Sequence, residues 1–150
     1  MQITSRFAIA MHILACIEYF GKDYAITSSF LAGSIGANPV IVRTVMGELK
    51  NAGLIAISQG KSGITLAKPL KEISLYEIYK AAEPLGEEGL FRFHKNPNAN
   101  CPIGRNIHKG MQASLKKVQD AMERSMKSIS AARIYSLTKK EIQKEGKQDE

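Results

Sequence analysis

Apolar residues recur at helical spacing from the beginning of the chain. Over residues 4–20, Phe7, Ala10, Met11, Leu14 and Ile17 make one face, and Ile9, Ile13 and Phe20 widen it. A helix apolar over so much of its circumference is covered from two sides, which predicts packing against the segment that follows and against a later long helix. Gly21-Lys22-Asp23 reads as a turn and Tyr24-Ala25-Ile26 as a short strand. Thr27 can cap a short helix with apolar positions Phe30, Leu31 and Ile35. Gly36-Ala37-Asn38 breaks it, and Pro39 suits the first turn of the next helix. There Val40, Val45, Leu49 and Ala52 are expected inward, leaving Arg43, Thr44, Gly47, Glu48 and Lys50 for solvent or a ligand. Gly53 ends that helix. Residues 54–58 and 64–67 then read as strands around the hairpin signal Gln59-Gly60-Lys61-Ser62-Gly63.

Ser74 with Glu77 forms a capping-box pattern for a helix burying Leu75, Ile78, Tyr79 and Ala82, stopped by Pro84. Residues 87–100 hold no sustained period and read as a loop. From Pro102 a stripe of Ile103, Ile107, Met111, Leu115, Val118, Met122, Met126 and Ile129 recurs at intervals of three and four. Such a helix spans about 40 Å at ~1.5 Å per residue, more than a small head can cover, and an identical chain is the economical partner. Thr138 and Glu141 suggest a second capping box, and residues 144–150 a disordered tail. The chain therefore divides into a winged helix-turn-helix head (1–83), a loop (84–101), a dimerisation helix with a short terminal helix (102–143) and a tail. The fold class is mainly α with a small β wing.

Composition narrows the chemistry. With 21 Lys and Arg against 14 Asp and Glu, the formal charge is +7 and the pI about 9.5, favouring an anionic partner. Two cysteines, Cys16 and Cys101, make no disulfide framework and suit a reducing cytoplasm. The Ile13-Leu14-Ala15-Cys16 run loosely resembles a lipoprotein cleavage site, but His12 and the continuation through Glu18-Tyr19-Phe20 argue against one. No apolar run reaches membrane-span length. His12, His94 and His108 fit no metal-ligand spacing, and no nucleophile-base set or phosphate-binding loop is evident, so an enzyme is not expected. Cys16 and His12 read as packing residues. Cys101 precedes Pro102 at a helix start, with Arg105 one turn on, a setting that favours thiolates and reaction with oxidants. A plain capping role is the alternative.

Two short helices about a tight turn, followed by a basic hairpin, describe a winged helix-turn-helix. The expected DNA contacts are Ser5 and Arg6 at the first helix start, and Thr27, Ser28, Asn38, Pro39, Val40, Arg43 and Thr44 in the helix pair. Gln59, Lys61 and Ser62 join them from the wing. The opening MQITSRFAIAMHILACIEY, the run NAGLI into SQGKSGITLAKP, and EISLYEIYKAAE together resemble the Rrf2 family of bacterial transcription regulators across nearly the whole chain. The resemblance implies a dimeric winged-helix repressor or activator on a palindromic operator. Several members sense iron-sulfur clusters, nitric oxide or thiol oxidation. Cluster-binding members place three cysteines ahead of the long helix; Cys101 corresponds to the last, and the others are missing, so no cofactor is expected. Gln59 stands where many members have arginine, and Ile64 where they have glycine, which weakens the expected minor-groove readout. The leading expectation is a cytoplasmic, homodimeric DNA-binding regulator, most simply a repressor, controlled through Cys101, a protein or a small-molecule effector. The alternative is an interaction module docking on a metabolic enzyme.

Overall fold

The computed structural model describes residues 3–58, 63–83 and 89–148. The first helix, α1 (Ser5–Phe20), is capped by the Thr4 side chain, which accepts from the Arg6 amide. Glu83 closes this end by accepting from the Thr4 amide at 2.8 Å and the Thr4 hydroxyl at 2.5 Å. Ala10, Ile13 and Leu14 are fully buried in α1, and Ile9, Met11, Cys16 and Ile17 nearly so. Each fully buried aliphatic side chain contributes about 1.5–3 kcal/mol, which makes α1 the axis of the core.

Around α1 lie α2 (Ser28–Ile35), α3 (Pro39–Asn51) and α4 (Leu75–Ala82). Strands β1 (Ile55–Ile57) and β2 (Ile64–Leu66) pair antiparallel, Ala56 opposite Thr65, and β2 also packs on α1. The strand expected over residues 24–26 is absent as an element. What remains of it is one backbone bond, Ile64 N–H to Ile26 O at 3.1 Å. Gly63 makes that approach possible: its φ is +59°, and a Cβ there would sit 2.5 Å from the Ile26 oxygen.

A 3-10 turn (Leu70–Glu72) leads into α4, where the Ser74–Glu77 capping box is complete. Tyr79 of α4 is fully buried. Burial, then the charges of Glu123 and Glu83 and nearby Tyr76, raise its phenol above the ordinary 10.0. The long helix α5 (Pro102–Lys127) packs on α4, and Lys127 lies 4.5 Å over the Tyr76 ring.

Beyond α5 the chain departs from expectation. Ile129 belongs to a link rather than to the helix: its carbonyl accepts from the Leu75 amide at 2.9 Å, beside a bridge between Ser74 and Ser130. That link turns the chain back into α6 (Ala131–Gln148). It is α6, not α5, that covers α1 and the 3-10 turn, through fully buried Ala131 and half-buried Ile134 and Tyr135. Thr138 does not start a helix. It lies inside α6 with its hydroxyl donating to Ile134 O at 2.9 Å. Nor do residues 144–148 form a disordered tail, because α6 continues to Gln148. Lys, Gln and Glu are good helix formers, and Lys144 also pairs with Glu141 at 2.9 Å.

Candidate nucleic-acid interface

The helix pair is built by local chemistry. The Thr27 hydroxyl accepts from the Phe30 amide at 3.1 Å to start α2. Gly36, at φ +70°, ends it in the left-handed region that a glycine enters without a Cβ penalty. Two residues later the Asn38 side chain accepts from the Val40 amide at 2.8 Å, and Pro39 occupies the first turn of α3. Thr27 and Asn38 are thus helix caps in the free protein.

The face of α3 is turned from the expected one. Val42, Val45, Met46 and Leu49 are buried, at the spacing of one helical stripe, whereas Val40 is 64% exposed and Ala52 is exposed. Val40 therefore does not belong to the core. The outward surface consists of Pro39, Val40, Ile41, Arg43, Thr44, Lys50 and Asn51. Ile41 was not anticipated there; the spacing from Val42 could have revealed it. Phe30 is also partly outward, edge-on to Phe20 at 5.2 Å, while Leu31 fills the core. The Thr44 hydroxyl donates to Val40 O at 2.9 Å, so toward a ligand it offers lone pairs and a methyl group rather than its proton.

Arg6 sits at the start of α1, but its guanidinium is paired with Glu48 of α3. That pair joins residues 42 apart in sequence and ties the first helix to the reading helix; no local signal could have announced it. Ser5 is exposed beside it, and Ser28 is half-buried in the first turn of α2. The base of the wing is closed by two bonds to Gly63 O, from the Ser58 amide at 3.1 Å and the Ser58 hydroxyl at 3.0 Å. Gln59, Lys61 and Ser62, the expected wing contacts, lie outside the described residues.

At the start of α5, Cys101 is the N-cap residue, half-buried and making no side-chain cap bond, and its carbonyl accepts from the Arg105 amide at 3.0 Å. Nearby, Phe93 stacks on His108 at 4.7 Å, and His94 stands edge-on to the same ring at 4.8 Å. The stripe residues lie along α5, which has no buried residue; Ile103, Met111 and Val118 are exposed, and Ile107, Leu115, Met122 and Met126 half-buried.

The sequence model of Rrf2, described as an iron-dependent transcriptional regulator, matches residues 3–136. The chain belongs to the Rrf2 family. Its relatives include the HTH-type transcriptional regulator YwnA of Bacillus subtilis, 38% identical over 128 residues, which span 85% of this chain and 92% of YwnA. Among solved structures, a DNA-binding protein at 34% identity superposes with a TM-score of 0.70, covering 87% of this chain and 98% of its own. CymR, the global cysteine regulator of B. subtilis, shares the fold at 14% identity with a TM-score of 0.66, covering 91% and 98%. Rrf2 proteins are transcription regulators rather than enzymes, and the winged helix-turn-helix class is the family's. The iron in the family description does not fit this donor set. The chain has only Cys16 and Cys101 as thiols, the first buried in the core of the head and the second at the α5 start. A cluster held by three thiolates has no counterpart here. Among the described residues, no three His, Cys, Asp or Glu side chains gather as a metal site, nor is any helix long and apolar enough to cross a membrane.

Proposed function

We propose that this Rrf2 protein acts as a homodimer on a palindromic DNA operator, as a repressor, with α3 entering the major groove. The observation that carries this reading is the outward face of α3. Arg43 projects from it beside Val40 and Thr44, on a helix whose N-terminus is fixed by Asn38 and Pro39. A guanidinium fork matches the two acceptors of guanine. With its proton committed to Val40 O, Thr44 is suited to accept from an adenine or cytosine amino group, or to meet a thymine methyl. Ser5, Thr27 and Ser28 lie at helix N-termini, where backbone amides attract phosphate. Arg6 serves mainly to hold α3 through Glu48. Gln59, Lys61 and Ser62 extend the contact along the neighbouring groove. The same names support the reading from outside the chain: a relative is called an HTH-type regulator and a structural neighbour a DNA-binding protein.

The dimer is supported by α5, an extended helix with an apolar stripe and no buried residue. Ile103, Ile107, Met111, Leu115, Val118, Met122 and Met126 form its seam; Ile129 is held in the link beyond. Thiol control is assigned to Cys101 rather than buried Cys16, because Cys101 is only half-buried and oxidation there would act on the helix that sets the spacing of two half-sites. Loss of operator affinity under mild peroxide in wild type but not in Cys101→Ser is the expected result. If both lose it equally, Cys101 is a cap only.

Val40 and Ile41, apolar and adjacent on the exposed face, also suit a protein partner docking on α3. A gel shift against the gene's own upstream DNA, titrated with salt, separates the two. Operator binding should fall steeply with salt, and Arg43→Ala should cost about 1–3 kcal/mol in specific affinity. Lys61→Ala should weaken all sequences alike and flatten the salt slope by about one unit. Wild-type affinity in the Arg43 variant would remove α3 from the groove.

A further inference from the structure

Behind the reading helices, α1, the last turn of α2 and α6 line a pocket of about 180 Å³ that is open to solvent on one side. Phe20, Tyr135 and Ile142 supply apolar wall. The polar edge is a short chain in which Ser34 Oγ lies 3.0 Å from His12 Nε2 and 3.4 Å from Cys16 Sγ. A serine hydroxyl has one proton and two lone pairs, so these two partners leave one site on that oxygen for a third. Lys139 also lines the pocket, with its ammonium 5.5 Å over the Tyr135 ring, and among the described residues no carboxylate does, so a cationic ligand would meet a like charge and no counter-charge. For size, an apolar protein cavity of about 150 Å³ holds benzene.

We infer that this pocket binds a small neutral aromatic alcohol, of phenol size, and that its occupancy changes affinity for DNA. The ring would lie against Phe20, Tyr135 and Ile142, and the hydroxyl would take the open site on Ser34. The coupling follows from where the walls belong. Ser34 stands in the last turn of α2, one residue from the Ile35 end and just ahead of the Gly36 turn into α3. Ile142 and Tyr135 belong to α6, which is joined to α5 by the short link at residues 128–130. A ligand bridging α2 to α6 therefore connects the reading unit to the helix proposed to join two subunits. This second half rests on the DNA-binding reading; binding itself does not, so it is measured first and without DNA.

The experiment uses the full chain with phenol, toluene and benzylamine, by calorimetry and ligand-detected NMR. Phenol should bind saturably, and benzylamine, one heavy atom larger and cationic, should not. Ile142→Trp, at a partly exposed position where the fold tolerates bulk, should fill the pocket and abolish binding while leaving the melting curve unchanged. Ser34→Ala should reduce the preference for phenol over toluene by roughly threefold to tenfold, the worth of one hydrogen bond. With operator DNA present, saturating phenol should shift wild-type affinity and leave Ile142→Trp unmoved. Failure of phenol to bind to saturation, equal binding of benzylamine, or undiminished binding in Ile142→Trp overturns the site. Normal binding with unaltered DNA affinity overturns the regulatory half alone, and failure of the protein to bind DNA at all would instead sink the functional reading above.

Discussion

Helices α1 and α5 both carry apolar residues at helical spacing, yet α1 has seven buried residues and α5 has none. The difference lies in their surroundings rather than in their own patterns. Helix α1 is met by α2, α3, α4, α6 and β2, so nearly every methyl group on it leaves water. Helix α5 rests one side on α4 and leaves Ile103 71% exposed and Val118 53% exposed. The core around α1 is closed within the chain, with α6 as its last cover, whereas the open seam of α5 would gain its burial from the proposed association. Under the proposed dimer this would separate two tasks: the head holds α3 in shape, and the arm would set where a second α3 lies.

The largest expected effect is in the head. Leu49→Ala removes a fully buried side chain on the inner face of α3 and should cost about 2–5 kcal/mol of unfolding free energy, read from urea melts. A loss below about 1 kcal/mol would mean that the α3 core is looser than its burial implies.

Next comes the arm. Leu115→Lys together with Val118→Lys should leave the head's circular dichroism and melting intact but convert the protein to a monomer in light scattering. Operator affinity should then fall at least about tenfold, or about 1.4 kcal/mol. A dimer that persists in this variant would place the subunit contact elsewhere than the α5 stripe.

Two look-alike capping motifs sharpen the comparison further. Ser74 accepts from the Glu77 amide at 3.2 Å in a complete box, but Thr138 bonds back to Ile134 O inside α6. Ser74→Ala should therefore cost about 1 kcal/mol, and Thr138→Ala should stay within about 0.5 kcal/mol. Equal costs in thermal melts would refute the distinction.

The smallest effect is a pH dependence confined to the head. Burial alone would raise the Glu77 carboxyl, but the Lys68 ammonium and the Ser74 amide and hydroxyl outweigh it and hold the group below its ordinary 4.5. A lowered folded value means stability that is fully present above 4.5 and lost as pH falls through the folded value. Both partners are partly exposed, so the contribution is modest. Glu77→Gln should flatten the acid limb of the stability curve below the ordinary carboxylate range and leave neutral-pH DNA binding unchanged. An unaltered acid limb would show that the pair does not survive in solution.

Much of this protein is written locally. Thr4, Thr27, Asn38 and Ser74 each bond an amide within three residues, Gly36 needs only its own backbone, and Pro39 only its own ring. Such features depend on neighbours in the chain, which is why helix starts and breaks in the head could be read directly. The missing cysteines were equally plain, since a donor set is a matter of composition. Misread were Val40 and Thr138, where two readings fitted the same local pattern. Both inward and outward phases of α3 contained apolar residues, and a threonine three residues before a glutamate is as compatible with a helix interior as with its start.

What the tertiary structure decided is everything that joins distant residues. Packing against α1 and α2 fixed the rotation of α3, putting Val42 inside and Ile41 outside. The pair between Arg6 and Glu48 and the Ile129 link to Leu75 connect segments whose separation no periodicity encodes. The return of α6 across α1, and with it the pocket at Ser34, joins segments more than a hundred residues apart. A sequence specifies the local torsional and capping preferences of each segment; the choice among compatible rotations and partners is made by the burial they achieve together, a sum over contacts that no single segment contains.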